Sequence, residues 1–433
     1  MLNADEILGM NARNLLYVSQ NSRASRKFCD SKLETKLLMG QNEIASPQVY
    51  KIITSQEDVE DYDWQQHEGN FVIKPSNGSG GKGIVVLRKK VKPEVWSDAI
   101  GQHWSLEGLK LHCLDILEGK YSSHPGSQDN QILVEERVPI HQLFLKYSYG
   151  GTPDIRVIVY NGVPVMAMLR LPTKESEGRA NLHQGAIAAG IDLATGITTH
   201  AITSSGTSIN YVPGTKRKLN GILIPFWKQT LLTAVRAAQA AGLAYGGIDL
   251  FMHQEKGPMV VEMNARPGLG IQLANQKGLK KRLRRIDGLN IMSAEHGVKI
   301  AQTLFISELI DKVVDKENPP LIGYNEEINL LGVKEGKKPR TIQVSAKVDT
   351  SRYRSTISRE IAQELGLYHP DNLLWFQSDE EKIGEKSPVI EVSFIMAGRK
   401  VTTTMVVSKQ LDRGKTKVKL GRADLNGFLV TYQ

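Results

Sequence analysis

Cysteine is almost missing from this 433-residue chain: Cys29 and Cys113 are the only two. They lie at no metal-ligand spacing and supply no disulfide framework, so both read as packing thiols. Long apolar runs are missing too. No stretch of roughly eighteen apolar residues offers a membrane span, and the N-terminus lacks the basic-then-apolar order of a signal peptide. A cytoplasmic protein of two or three domains, with no membrane partner, is the expectation. A surplus of acid is also absent, because 55 Lys and Arg against 46 Asp and Glu give a net charge of +9. The densest basic run, Lys277 to Arg285, has no aromatic interleaving and no RNA-binding signature. Nucleic acid is therefore not an expected partner. The run reads either as a solvated basic helix or as a docking face for an acidic acceptor.

Two segments carry the strongest positive signal: Gly247-Ile248-Asp249-Leu250-Phe251, and Val260-Val261-Glu262-Met263-Asn264-Ala265-Arg266-Pro267-Gly268. Both are apolar and β-branched enough for strands, and the polar Glu-Lys-Gly-Pro stretch between them reads as a hairpin turn. A turn centred near Glu255 and Lys256 sets Asp249 opposite Glu262, with Asn264 on the same face. Two carboxylates and an amide on one face repel unless a hard cation joins them, and Mg²⁺ suits such ligands. A polar outer hairpin face is the alternative.

Upstream, Phe71 to Leu87 reads as strand, glycine-rich loop, strand, with Gly78, Gly80, Gly81 and Gly83 around Lys82. The G-x-G-x-x-G spacing would suggest a dinucleotide turn, but a β-rich run follows it where that motif opens a helix. A Walker A loop is excluded because Gly follows Lys82 where Ser or Thr would hold the metal. What remains is a glycine hairpin able to fold over phosphates with Lys74 and Lys82 supplying charge, or simply a flexible turn.

Taken together these residues resemble the ATP-grasp superfamily, and within it the RimK-related α-L-glutamate ligases, over about the first three quarters of the chain. Asp30-Ser31-Lys32-Leu33-Glu34-Thr35-Lys36 resembles the family's entry helix, and the likeness assigns Lys32 to the ATP phosphates. Lys74 matches the second nucleotide lysine. Ile132 to Val138 resembles the strand and hinge at adenine, which implies Glu135 and main-chain groups of Glu136 and Val138. Pro153-Asp154-Ile155-Arg156 and Met166 to Arg170 match strands lining the acyl site, and Asn181 to Gly185 matches an Asn-x-x-x-Gly element. The resemblance implies ATP and Mg²⁺ as cofactors, with Asp249, Glu262 and Asn264 as metal ligands. Asn181, Arg170 and Arg266 would be catalytic, the two arginines holding the transferring phosphoryl group or a substrate carboxylate. Most relatives carry a separate domain before the entry lysine, and with only about thirty residues ahead of Lys32 the expectation is that this domain is missing. Ile7 to Asn14 instead resembles the start of a shorter subfamily.

Pro225 to Ala241 has helical spacing, and a second helix is expected over 298–314. Lys316-Glu317-Asn318-Pro319-Pro320 then breaks the pattern, and 122–130 reads as a surface loop. Beyond the break come short β segments: Thr341 to Asp349, Val389 to Ala397, Lys400 to Val407 and Val418 to Leu425. These resemble the retropepsin-like aspartic proteases found beside RimK-type ligases. Asp349-Thr350-Ser351 matches the catalytic turn, with Ser351 where the family has Gly, and Leu420-Gly421-Arg422 matches the second motif. One Asp per chain implies a homodimer through this domain for any two-carboxylate site. A recognition or dimerisation module is the alternative.

The expected fold is α+β: an ATP-grasp ligase domain over 1–315 with a short helical N-terminal region, a linker over 316–326, and a small all-β retropepsin-like barrel over 327–433. The function implied is an ADP-forming carboxylate–amine ligase working through an acyl phosphate. It would join an amino acid, by analogy glutamate, to a peptide or protein acceptor, with the barrel trimming or recognising the product. The alternatives are a chain that is primarily an aspartic peptidase, and a nucleotide-binding scaffold without ligase activity.

Overall fold

β-branched runs separated by glycine-containing turns build two antiparallel sheets before residue 301 and a closed barrel after it. The structure is a computed structural model that describes residues 4–78, 80–122, 130–305, 320–335, 338–378, 386–425 and 428–431. It divides into two units, Met1–Ala301 and Gln302–Gln433. No helix among the described residues is long and apolar enough to cross a membrane.

The first unit contains a six-stranded sheet in the order Val49–Ile53, Ile132–Glu136, Phe71–Pro75, Val85–Lys92, Val95–Asp98, His103–Ser105. Phe71, Ile73, Leu87, Trp96 and Val134 form a core with Leu109, Cys113 and Ile116 of the Leu106–Leu117 helix. Cys113 is fully buried there, and burial pushes its thiol up to about 12. Cys29 is half-buried and is likewise pushed to about 12 by burial.

The same unit holds a seven-stranded sheet in the order Ser208–Ile209, Thr198–Ile202, Ile187–Ile191, Val163–Leu171, Asp154–Tyr160, Tyr245–His253, Gly257–Asn264. Every residue of Val163–Leu171 is buried. The helix expected from Pro225 starts two residues later, as Trp227–Ala240, because Phe226 is left-handed with φ 52°. In the last hairpin His253 pairs with Gly257, leaving a three-residue turn whose Glu255 and Lys256 amides donate to His253 Nδ1. That turn alone would leave Asp249 and Glu262 one residue out of register. A bulge between the Asp249–Glu262 and Leu250–Val260 pairs restores the facing arrangement.

The second unit is a barrel of six strands closing in the order Asn325–Glu335, Lys338–Val348, Val418–Leu420, Ser355–Ser358, Arg399–Ser408, Lys386–Met396 and back to the first, with Leu373–Ser378 added beside Lys386–Met396. Alternation decides which side faces in: Val344, Ala346 and Val348 are buried with Ile328, Phe394 and Leu420. Leu321–Ile322, within the segment expected as linker, pairs in parallel with Leu429–Val430. One expectation is corrected here. The segment expected as a strand to Leu425 ends at Leu420, because Gly421 turns the chain against the backbone of Arg354, where a Cβ would lie 2.4 Å from its carbonyl carbon. The described part of the helix expected over 298–314 is Ala294–Leu304. Residues 306–314, the Lys316–Pro319 part of the break and the loop over 123–129 lie outside the described residues.

Candidate functional site

Lys32 and Lys36 are one turn apart on the Lys32–Gln41 helix, whose first turn is capped by Ser31 accepting from the Glu34 amide. Lys32 Nζ donates to the Gly78 carbonyl at the base of the glycine loop. Lys36 is buried and reaches Glu135 of the Ile132–Glu136 strand. Its Nζ lies 3.1 Å from one Glu135 oxygen and Lys74 Nζ lies 2.6 Å from the other, all three side chains being at most 5 % exposed. Burial and then the Lys74 charge pull Lys36 down to about 7, although Glu135 opposes them. Burial would raise Glu135, but Lys74 and Lys36 together hold it below the ordinary carboxylate range.

The glycine loop is pinned at its exit and at its tip. At its exit His112 Nε2 lies 2.9 Å from the Gly83 carbonyl, and Tyr121 packs where a Gly83 Cβ would come within 2.7 Å of its ring. At its tip Gln184 Nε2, from the element capped by Asn181, donates to the Gly80 carbonyl at 2.9 Å. This bond crosses from one sheet's loop to the other's.

On the seven-stranded sheet the register sets Arg170 beside Asp154, Arg156 beside Asp249, and Asp249 beside Glu262. Arg156 grips Asp249 through Nε to Oδ1 at 2.7 Å and Nη2 to Oδ2 at 2.6 Å. Arg170 pairs with Asp154 and also reaches Asp249 Oδ2 at 2.8 Å, and Asn264 Nδ2 lies 3.4 Å from the same oxygen. Burial raises both aspartates, but the paired guanidiniums win at Asp249, which stays below the usual range. Asp154 is pushed up to about 6 by burial and by the neighbouring Asp249.

A cleft of about 630 Å³ joins the two sheets. Of the residues expected from sequence, it is lined by Lys32, Lys74, Gly80, Gly81, Glu135, Glu136, Val138, Arg170, Asn181, Asp249, Glu262 and Asn264. Gly78, Lys82, Gly83 and Arg266 are not among its lining residues. Lys82 and Arg266 are exposed, and the chain after Arg266 is turned by Arg13, whose Nη1 donates to the carbonyls of Arg266 and Pro267. Glu135 is committed to two lysines. The Glu136 amide donates to the Gln48 carbonyl. Arg156, Lys36 and Gln184 did not emerge as site residues from the sequence. Arg156 stands in the Asp-Ile-Arg stretch, and the spacing of Lys36 from Lys32 was a usable signal.

A family model described as sugar-transfer associated ATP-grasp matches residues 11–288. The chain belongs to that family. Its curated relatives include a probable alpha-L-glutamate ligase of Hydrogenovibrio crunogenus, 30% identical over 143 residues, which are 33% of this chain and 35% of that protein. Another, from Pseudoalteromonas translucida, is 31% identical over 131 residues, 30% of this chain and 32% of that protein. The chain thus spans about a third of the length of these relatives. Among solved structures, the ATP-grasp ligase PsnB with its minimal precursor covers 61% of this chain and 62% of that one at 16% identity and TM-score 0.33. Biotin carboxylase from Campylobacter jejuni covers 66% and 53% at 13% identity and TM-score 0.40.

ATP-grasp enzymes use ATP and Mg²⁺. The donor set here fits a hard cation: Asp249 and Glu262 supply carboxylate oxygens and Asn264 an amide oxygen. No three of His, Cys, Asp and Glu cluster as a metal site among the described residues, so the Asn264 oxygen is needed to complete such a set. Both Asp249 oxygens are engaged by guanidiniums, so a metal held there would have to share the Asp249 charge with them.

In the barrel, Asp349 heads a separate polar loop. Its Oδ1 accepts from the Ser351 hydroxyl at 2.5 Å and the Ser351 amide at 3.2 Å, while Arg352 and Lys419 stand 3.8 and 3.9 Å from Oδ2. The Ser351 bond is the main reason this carboxyl sits below its usual range. The Asp349 amide donates to the Leu420 carbonyl and the Arg422 amide to that of Arg352, so the two sequence motifs hold each other.

Proposed function

We propose that the first unit is an ADP-forming carboxylate–amine ligase that joins an amino acid, glutamate by analogy, to a peptide or protein acceptor. The observation that carries it is one cleft with Lys32 and Lys74 on one wall and Asp249, Glu262 and Asn264 on the other. Lysines opposite oxygen ligands suit a polyphosphate with its counter-ion. Mg²⁺, held by Asp249, Glu262 and Asn264, would supply neutralisation of charge on the phosphate oxygens. Lys32 and Lys74 would hold the phosphates, with the glycine loop covering them. A substrate carboxylate oxygen attacks the γ-phosphorus and ADP leaves. The amine nitrogen then attacks the acyl carbon, phosphate leaves, and the nitrogen sheds its proton. In this reading Arg156, which lines the cleft, takes the phosphoryl-holding role expected of Arg266, and Arg170 orients Asp249. The glutamate ligase relatives support the amino-acid reading.

Product analysis tests it. With Mg-ATP, an amino-acid mixture and acidic peptides, mass spectrometry should find an amide product with ADP and phosphate, and Glu262→Ala should abolish both. AMP and pyrophosphate would rule the mechanism out.

For the second unit we propose a retropepsin-like barrel that recognises or trims the ligase product, acting as a dimer. The crossed contacts between the Asp349 loop and the Leu420–Gly421–Arg422 turn support it. Peptide cleavage lost in Asp349→Asn, together with a dimer on sizing, is the expected result. Cleavage indifferent to that substitution defeats the protease reading.

A further inference from the structure

Lys74 is in contact with Glu135 at 2.6 Å, and a buried one-to-one lysine–glutamate pair is neutral. It presents no net charge to a polyanion. The second cation changes that sum: Lys36, on the other Glu135 oxygen at 3.1 Å, makes the group a triad of net charge +1. Lys36 lines no part of the cleft. Its remaining hydrogen bond goes to the Pro47 carbonyl at 3.2 Å, so anything it does for a ligand passes through Glu135.

We propose that Lys36 is a positioning residue for the nucleotide site: by sharing Glu135 it leaves Lys74 with uncompensated positive charge at the phosphates. The inference rests on the reading of the cleft as an ATP site. Several observations support it beyond the distances. Lys32 and Lys36 are four residues apart on one helix, so the same turn that sends Lys32 to the loop base sends Lys36 to Glu135. The group is water-poor, so the extra charge is weakly screened. The charged groups that face Lys36 are Lys74, Glu135 and Glu136, and burial with the Lys74 charge holds it near 7. The spare proton is therefore retained below pH 7 and lost above it, and the charge on Lys74 is neutralised by Glu135 as it leaves.

The test measures the equilibrium affinity of the full-length protein for Mg-ATP by calorimetry, without acceptor, from pH 6 to pH 9. Lys36→Met should weaken binding about tenfold at pH 6.5, the size of one charge acting through a protein interior. Lys36→Arg keeps a cation that does not titrate in this range, so it should restore the affinity at all pH values. The ratio of wild-type to Lys36→Arg affinity cancels the titration of the nucleotide itself. It should fall as pH rises through about 7. A ratio flat with pH, or Lys36→Arg binding as weakly as Lys36→Met, overturns the inference. Those comparisons hold even if Lys36→Met fails to fold, because wild type and Lys36→Arg suffice. Wild type that does not bind Mg-ATP at any pH would sink the ligase reading, whereas binding indifferent to residue 36 sinks only this inference.

Discussion

Asp249 and Asp349 are both held below the ordinary carboxylate range, and for opposite reasons. Asp249 is buried in a lattice of two guanidiniums and a second carboxylate, where full charges offset the cost of burial. Asp349 is a loop residue whose largest stabilising partner is the neutral hydroxyl of Ser351. The first arrangement makes the aspartate part of the fold's stability. The second leaves it separable from the fold, as a group that meets a ligand or a partner copy from outside can be.

The largest expected effect follows from that contrast. Asp249→Ala leaves Arg156 and Arg170 with only Asp154 to balance them among the described residues, and breaking a buried pair this way costs roughly 3–5 kcal/mol. Asp349→Ala should cost under about 1 kcal/mol, as exposed polar contacts do. Chemical denaturation of each unit's transition measures both, and equal losses would break the comparison. Glu262→Ala sharpens it. Glu262 is half-buried and has no ion pair among the described residues, so its loss should spare stability while abolishing ADP formation.

What could be seen in the sequence divides along the same line. The hairpin that carries Asp249 and Glu262 was visible because both lie on β-branched strands joined by one short turn, whereas their direct pairing depends on a bulge after Asp249 that the sequence did not signal, and alternation over 341–348 told which side of that strand is buried. Arg156 was not visible as the partner of Asp249. The two are 93 residues apart, and sequence periodicity does not tell which strand lies on a hairpin's outer edge. Lys36 was hidden in the same way, since Glu135 comes from a distant strand. Arg266 looked like a site residue because it follows the metal strand directly. Arg13, from the other end of the unit, takes the carbonyls of Arg266 and Pro267 at a point where the Arg266 side chain is exposed. The Pro319–Pro320 break hid the short strand that starts at once after it, because proline marks where a pattern stops and says nothing of what resumes.

A smaller effect concerns Ser351. Its hydroxyl is the first cause of the lowered Asp349 carboxyl, so Ser351→Ala should move that carboxyl up toward the ordinary value near 4, read by carboxyl-resolved NMR titration. The sign for stability follows. A depressed carboxyl contributes stability that is present above its unfolded value and lost as pH falls through the folded one. The difference between wild type and Ser351→Ala should therefore shrink on acidification below about pH 4. A carboxyl unmoved by the substitution would assign the depression to Lys419 and Arg352 instead and make Asp349 resemble Asp249 more closely.

The smallest expected effect tests whether charge outside the cleft serves the ligase. The run from Lys277 to Arg285 is less free than its composition suggests: Leu279 and Leu283 anchor its helix, Arg282 donates to the Val165 carbonyl at 2.8 Å, and Lys281 pairs with Glu6 at 2.5 Å. Lys277 and Arg284 remain exposed. If they draw an acidic acceptor toward the cleft, Lys277→Glu with Arg284→Glu should raise the acceptor KM several-fold and leave ATP affinity unchanged, and added salt should mimic the change in the wild type. Lys281→Glu should add destabilisation of the N-terminal contact through Glu6 as well, which separates a structural cation from a steering one. Acceptor KM unaffected by both the double reversal and salt would leave the run as a solvated helix face.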